Sequence, residues 1–156
     1  MNLLLKLFLL VMASNAAYTD GFSGMMNLYQ DINYRHQLAL FTFSKSNKCF
    51  NMACGVYYHS LSSVKWSGLP STASYAGSSS ARLVFYDKPG CKGASKSYKT
   101  SRGNVMSFVT EGFNDLTGSF MVLQTSQKIE NGITSLCRLE SSALGESLNA
   151  TNSTQM

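Results

Sequence analysis

Histidine occurs twice in the chain, proline twice and tryptophan once, and only 13% of the residues are charged. The histidine shortage limits chemistry first. His36 and His59 are the only imidazole bases, and neither follows a paired-cysteine spacing of the kind that holds zinc. No nucleophile elbow and no metal-binding helix motif is present. A catalytic triad assembles in space, so residue order leaves one open without supporting it. Long apolar stripes at helical spacing are also missing, which excludes a helical bundle. No run, the N-terminal one included, approaches the roughly 20 apolar residues that a membrane span needs. The polar end from Asn149 to Met156 lacks the hydrophobic tail of a lipid anchor, and none is expected. Charge is sparse and modestly basic. The formal value is +5, one less without Lys6, a mild attraction for anionic surfaces; no nucleic-acid partner is expected.

What is present begins at the N-terminus. One cation, Lys6, an apolar run from Leu7 to Met12, and the small residues of Ala13-Ser14-Asn15-Ala16-Ala17 are the parts of a cleavable secretion signal. The expected signal is residues 1–16, cleaved after Ala16 with Ala17 as second choice; the alternative is a buried N-terminal helix. Export fits the four cysteines, Cys49, Cys54, Cys91 and Cys137. An even count in a secreted chain implies two disulfides with three possible pairings. The short interval from Cys49 to Cys54 suggests Cys49–Cys54, leaving Cys91–Cys137. Asn149 and Asn152 each open a glycosylation sequon, usable if the source is eukaryotic.

Short runs such as Leu38–Phe43, Arg82–Tyr86 and Ser119–Leu123, separated by Ser78-Ser79-Ser80 and Pro89-Gly90, read as strands of an all-β sandwich. The chain also repeats itself. Leu28–Tyr34 aligns with Phe85–Cys91 at an offset of 57, and Ser60–Trp66 aligns with Leu116–Val122 at an offset of 56. Two copies of one unit are therefore expected, joined by the loop from Ser67 to Ser80.

The residues of the second copy carry a family resemblance. Tyr86-Asp87-Lys88-Pro89-Gly90-Cys91-Lys92-Gly93, followed by Asn114-Asp115-Leu116-Thr117-Gly118-Ser119, resembles the Greek key motif of the βγ-crystallins. That motif opens on an aromatic and an acidic residue and has a glycine seven positions after the aromatic. It ends in an Asn/Asp pair with Ser/Thr-Ser beyond. The glycine takes a backbone conformation that costs other residues energy. The first copy departs from the pattern, with His36 at the glycine position and Tyr58-His59 in place of the Asn/Asp pair; the second has Cys91 in place of an aromatic. Cys91 is read as tying its hairpin to the C-terminal segment through Cys137. The resemblance implies a β-sandwich of two Greek key motifs over residues 17–124, motif one at about 26–69 and motif two at about 81–124. Residues 125–156 form a partly flexible extension.

Many relatives of that kind bind calcium between the motifs. Carried over, one site would use Leu116 and Ser62, the other Ser60 and Gly118, with Asn114 and Asp115 nearby. Leucine and glycine offer no side-chain oxygen to a hard cation, so calcium binding is expected to be weak or absent, and no other cofactor is implied. Lys88, Lys92, Lys96, Lys99 and Arg102 crowd into fifteen residues. They read either as a contact for an anionic surface or as a solvated outer face. Trp66 is expected in the core rather than on a sugar. The leading functional reading is a secreted, non-enzymatic module acting on an extracellular protein or anionic surface, or serving as a stable structural component. Because the family includes microbial toxins, antimicrobial proteins and protease inhibitors, a toxin or inhibitor is the alternative. A hydrolase using Asp87 and Asp115 is the third.

Overall fold

Residues 21–138 are described in a computed structural model of the chain. The expected signal peptide and the sequons at Asn149 and Asn152 lie outside them. Alternation builds the first strand: in β1 (Gly24–Asp31) Met26 and Leu28 point inward and are fully buried, while Met25 is exposed. A 3₁₀ turn (Ile32–Tyr34) folds the chain back into β2 (Arg35–Phe43). There follow β3 (Cys49–Asn51), a second 3₁₀ turn (Gly55–Tyr57) and β4 (Ser63–Ser67). The second copy repeats the order: β5 (Arg82–Lys88), β6 (Lys92–Lys99), a 3₁₀ turn (Thr100–Arg102), β7 (Asn104–Val105) and β8 (Ser119–Leu123). A last strand, β9 (Ile133–Ser135), follows.

Two sheets result, ordered β2-β1-β4-β7 and β6-β5-β8-β3-β9. Each unit of four strands gives its third strand to the other unit's sheet: β3 pairs with β8, and β7 pairs with β4. This is a βγ-crystallin-like sandwich of two Greek key motifs. The exchange makes the two copies one cooperative body, since neither sheet is complete without the other copy.

The core lies between the sheets. Phe50 stacks on Phe120 at 5.1 Å, Phe43 meets Phe50 edge-on at 5.0 Å, and Phe85 meets Phe108 at 5.2 Å. Each fully buried phenylalanine contributes about 2 kcal/mol by removing its ring from water. Trp66 is buried as expected, 5% exposed, with its indole N–H donating to the Thr100 carbonyl at 2.6 Å. β8 is buried along its whole length. Its inner residues face the core, while Met121 and Leu123 sit with Val84 under Tyr75 of the loop between the copies.

The cysteine pairing differs from the expectation. Cys49 bonds Cys91 and Cys54 bonds Cys137, with Cα separations of 5.9 and 6.3 Å. The reason is register. β9 runs parallel to β3, with Cys49 opposite Ile133 and Asn51 opposite Ser135, so the chain beyond each strand end brings Cys54 beside Cys137. Cys91 is drawn to the same sheet, because its N–H donates to the Ser119 hydroxyl at 2.9 Å, and Ser119 pairs with Asn51. Cys91 therefore ties its hairpin to β3 rather than to the C-terminal segment.

Asn47 pins that segment. It is fully buried, with φ of 52°. Its Oδ1 accepts from Gln124 N–H at 3.3 Å, Thr125 N–H at 3.1 Å and the Thr125 hydroxyl at 2.9 Å. Its Nδ2 donates to the carbonyls of Ser126 at 2.5 Å and Lys128 at 3.3 Å. The loop into β9 is thus wrapped around one amide.

Candidate functional site

The two folded hairpins and the loops before β4 and β8 meet at one end of the sandwich. The last serine of each motif fastens its own hairpin. The Ser63 hydroxyl donates to the Asp31 carbonyl at 2.5 Å and accepts from Tyr34 N–H at 3.0 Å. The Ser119 hydroxyl donates to the Lys88 carbonyl at 2.5 Å and accepts from Cys91 N–H at 2.9 Å. These are equivalent bonds in the two copies. In the second hairpin Gly93 has φ of 83°, and a Cβ there would overlap the Asp87 carboxylate. In the first, His36 holds the same place at φ of 49°, and its Nδ1 lies 2.6 Å from Asp31 Oδ2. The imidazole swings out to the carboxylate where the second hairpin tucks its carboxylate under glycine.

Between the first hairpin and the loops around Ser60 and Asp115 lies an open cleft of about 590 Å³. Ser60, Ser62, Asn114 and Asp115, drawn from both copies, all line it, together with Asp31, Asn33 and Arg35. Crossed main-chain bonds hold its walls: His59 N–H to the Thr117 carbonyl and Asp115 N–H to the Leu61 carbonyl, both at 3.3 Å. The cleft is therefore built jointly by the copies.

Both oxygens of the Asp115 carboxylate are engaged by the chain's own donors, while Asn114 Oδ1 has no partner. The Ser62 hydroxyl donates to Asp115 Oδ1 at 3.2 Å, and Asn114 Nδ2 donates to Asp115 Oδ2 at 2.6 Å. The Ser60 hydroxyl donates to the Tyr58 carbonyl at 3.2 Å. His59, stacked under Tyr58 at 3.9 Å, reaches the Asp87 carbonyl with Nε2 at 3.2 Å. A hard cation would have to displace donors from the carboxylate, and Leu116 and Gly118 supply no side-chain oxygen in return. At Leu116 and Gly118, the positions the resemblance carries over, the residues do not suit a calcium ion.

Asp87 and Asp115 are not brought into one cleft. Asp115 lines the cavity, whereas Asp87 does not, and its Oδ1 is buried beneath the hairpin. The basic residues are divided as well. Lys88 and Lys92 are paired at the tip of the β5–β6 hairpin. Strand alternation places Lys96 with Tyr98 on one face and Lys99 with Ser97 on the other. Arg102 lies over the Tyr98 ring at 4.8 Å and bonds Glu111 Oε1 at 3.1 Å. Gln30, Asn33, Arg35 and Asn47 were not singled out by sequence. Gln30 and Asn33 lie within the repeated stretch and Arg35 directly after it, so asking which side chains surround its turn would have found them; Asn47 carries no local signal.

No protein-family model and no curated protein matches the chain. Among solved structures, similar folds include a βγ-crystallin domain studied for the evolution of the eye-lens fold. It is 14% identical, covers 70% of this chain and 94% of that one, and has a TM-score of 0.43. A βγ-crystallin domain from Clostridium beijerinckii is 16% identical over 64% of this chain and 97% of that one, TM-score 0.42. One from Flavobacterium johnsoniae is 19% identical over 64% and 93%, TM-score 0.41. The strand order and the paired hairpin locks of this chain itself define its fold.

Proposed function

We propose that this protein is a secreted, non-enzymatic Greek key module that works outside the cell by surface recognition. The observation that carries the reading is how the polar side chains at the hairpin end are used. Asp31 holds His36, Asp115 is held by Ser62 and Asn114, and His59 is bound to the Asp87 carbonyl. Among the described residues neither imidazole is bonded to a serine, threonine or cysteine, and no cysteine is free, so no nucleophile stands against a base. Two disulfides link segments distant in sequence, which suits an oxidising compartment. Calcium plays no part in this reading.

The basic contact is narrowed to Lys88 and Lys92 at the hairpin tip, with Lys96 beside them. Arg102 is spent on Glu111, and Lys99 faces away. An anionic polysaccharide or vesicle surface is the partner chemistry. Two measurements test the proposal. Expression in a secretory host should release a protein with the mass expected for cleavage after Ala16 or Ala17; retention of the uncleaved chain in the cytosol refutes export. Binding to heparin beads at physiological salt should weaken in a Lys88→Gln/Lys92→Gln variant and persist in Lys99→Gln. Equal weakening in both, or no binding by the parent, refutes the basic contact.

A further inference from the structure

The cleft at the hairpin end also carries hydrogen-bonding groups that the chain does not use. Gln30, Asn33 and Arg35 line it, and among the described residues none of their side chains forms a hydrogen bond. Asp31 engages His36 through Oδ2. Two apolar side chains flank these groups, Ile32 at 39% and Val109 at 57% exposed.

The lining selects by exclusion. An oxyanion meets two carboxylates, Asp31 and Asp115, against one guanidinium, Arg35, and is repelled on balance. A calcium-like cation meets one carboxylate filled by Ser62 and Asn114 and a second with one oxygen on His36, so chelation by either would displace a donor. An apolar molecule would strip water from amides, carboxylates and a guanidinium without replacing their bonds. A neutral polyol avoids all three penalties, because each hydroxyl both donates and accepts. Planar carboxylate, amide and guanidinium edges suit neighbouring hydroxyls, and a C–H face can rest on Ile32 and Val109. We infer that this cleft binds a neutral saccharide, one or two rings at the end of a glycan.

The walls are shaped before the ligand arrives. Asn33, His59 and Asp115 all take positive φ, at 59°, 54° and 52°. Each is held there by a main-chain bond to the other copy, Asn33 N–H reaching the Met106 carbonyl at 2.9 Å and the other two as described. The ordering cost is met by folding rather than by binding. A volume near 590 Å³ lies within the usual span of small-ligand sites. An open cleft gripping a dozen ligand atoms binds at about millimolar strength.

This inference rests on the reading of a surface-recognition module but uses residues other than the lysines. The test is an amide-detected NMR titration of the disulfide-intact mature protein. Probes are the methyl glycosides of glucose, mannose, galactose and N-acetylglucosamine, with calcium chloride and sodium sulfate in parallel. Saturable shifts at Gln30, Asn33, Ser60 and Val109 with at least one glycoside are expected. Arg35→Ala and the surface change Val109→Asp should each weaken that binding about tenfold while the melting temperature stays near the parent's. The Lys88→Gln/Lys92→Gln variant should bind sugar like the parent. Shifts at these amides with calcium or sulfate but with no glycoside overturn the inference, as does sugar binding indifferent to both cleft variants. Heparin binding without sugar binding overturns this inference alone; sugar binding without heparin binding overturns the basic contact alone.

Discussion

Replacing Asn47 by alanine should destabilise the protein more than most single changes in a loop. The side chain makes five hydrogen bonds, three at Oδ1 and two at Nδ2. Each is worth about 1 kcal/mol net, and fewer than five will be lost in full because water reaches part of the loop. About 3 kcal/mol is the resulting figure for the side chain. Alanine at φ of 52° adds about 1 kcal/mol of backbone strain that glycine avoids. Asn47→Ala should therefore cost about 4 kcal/mol and Asn47→Gly about 3 kcal/mol, a large share of the roughly 5–15 kcal/mol that holds a domain together. Urea unfolding monitored by Trp66 fluorescence measures both. Hydrogen exchange should show the loss concentrated at residues 124–131. A cost below about 1 kcal/mol for Asn47→Ala, or alanine less costly than glycine, would refute the reasoning.

Three further predictions test the frame of the site. Non-reducing peptide mapping should recover Cys49 with Cys91 and Cys54 with Cys137. Cys54→Ser/Cys137→Ser should lose about 4 kcal/mol in denaturant unfolding, because that bond spans 83 residues and restrains the unfolded chain strongly; recovery of Cys49 with Cys54 would contradict the register of β9. Gly93→Ala forces a Cβ onto the Asp87 carboxylate, whereas at Gly90 the nearest atom is 3.9 Å away. Melting curves should show a cost of about 3 kcal/mol at the first position and about 1 kcal/mol at the second. Burial raises the Tyr98 hydroxyl to about 12, helped by the Glu111 charge and opposed by Arg102. The folded state thus keeps a proton that the unfolded chain loses near pH 10, and stability present below pH 10 is lost as pH rises toward 12. Ultraviolet titration should find a late-ionising tyrosine that is missing in Tyr98→Phe, whose stability should fall less steeply over that window.

The strands and the repeat were legible because their signals are local. Alternation in Gly24–Asp31 and turn chemistry at Pro89-Gly90 depend on near neighbours, and the offset of 57 survives because equivalent turns need equivalent residues. The four calcium candidates do share one cleft, since the motif that suggested them also builds the two loops that meet there. What those residues do together was not legible. Whether Ser62 faces a cation or the Asp115 carboxylate depends on a contact across 53 positions. The division of the basic cluster was equally hidden, because Lys92, Lys96 and Lys99 divide along β6 while Lys88 stands on β5 and Arg102 finds Glu111.

By itself the sequence determined an all-β chain of two related halves with four cysteines, because periodicity, turn residues and internal similarity are written in short stretches. Tertiary structure decided which cysteines pair, which side chains stay free in the cleft, and that each half completes the other's sheet. Those outcomes turn on strand register and on the exchange of β3 and β7. Both are fixed by packing the two aromatic faces together, a condition that no single stretch of sequence contains.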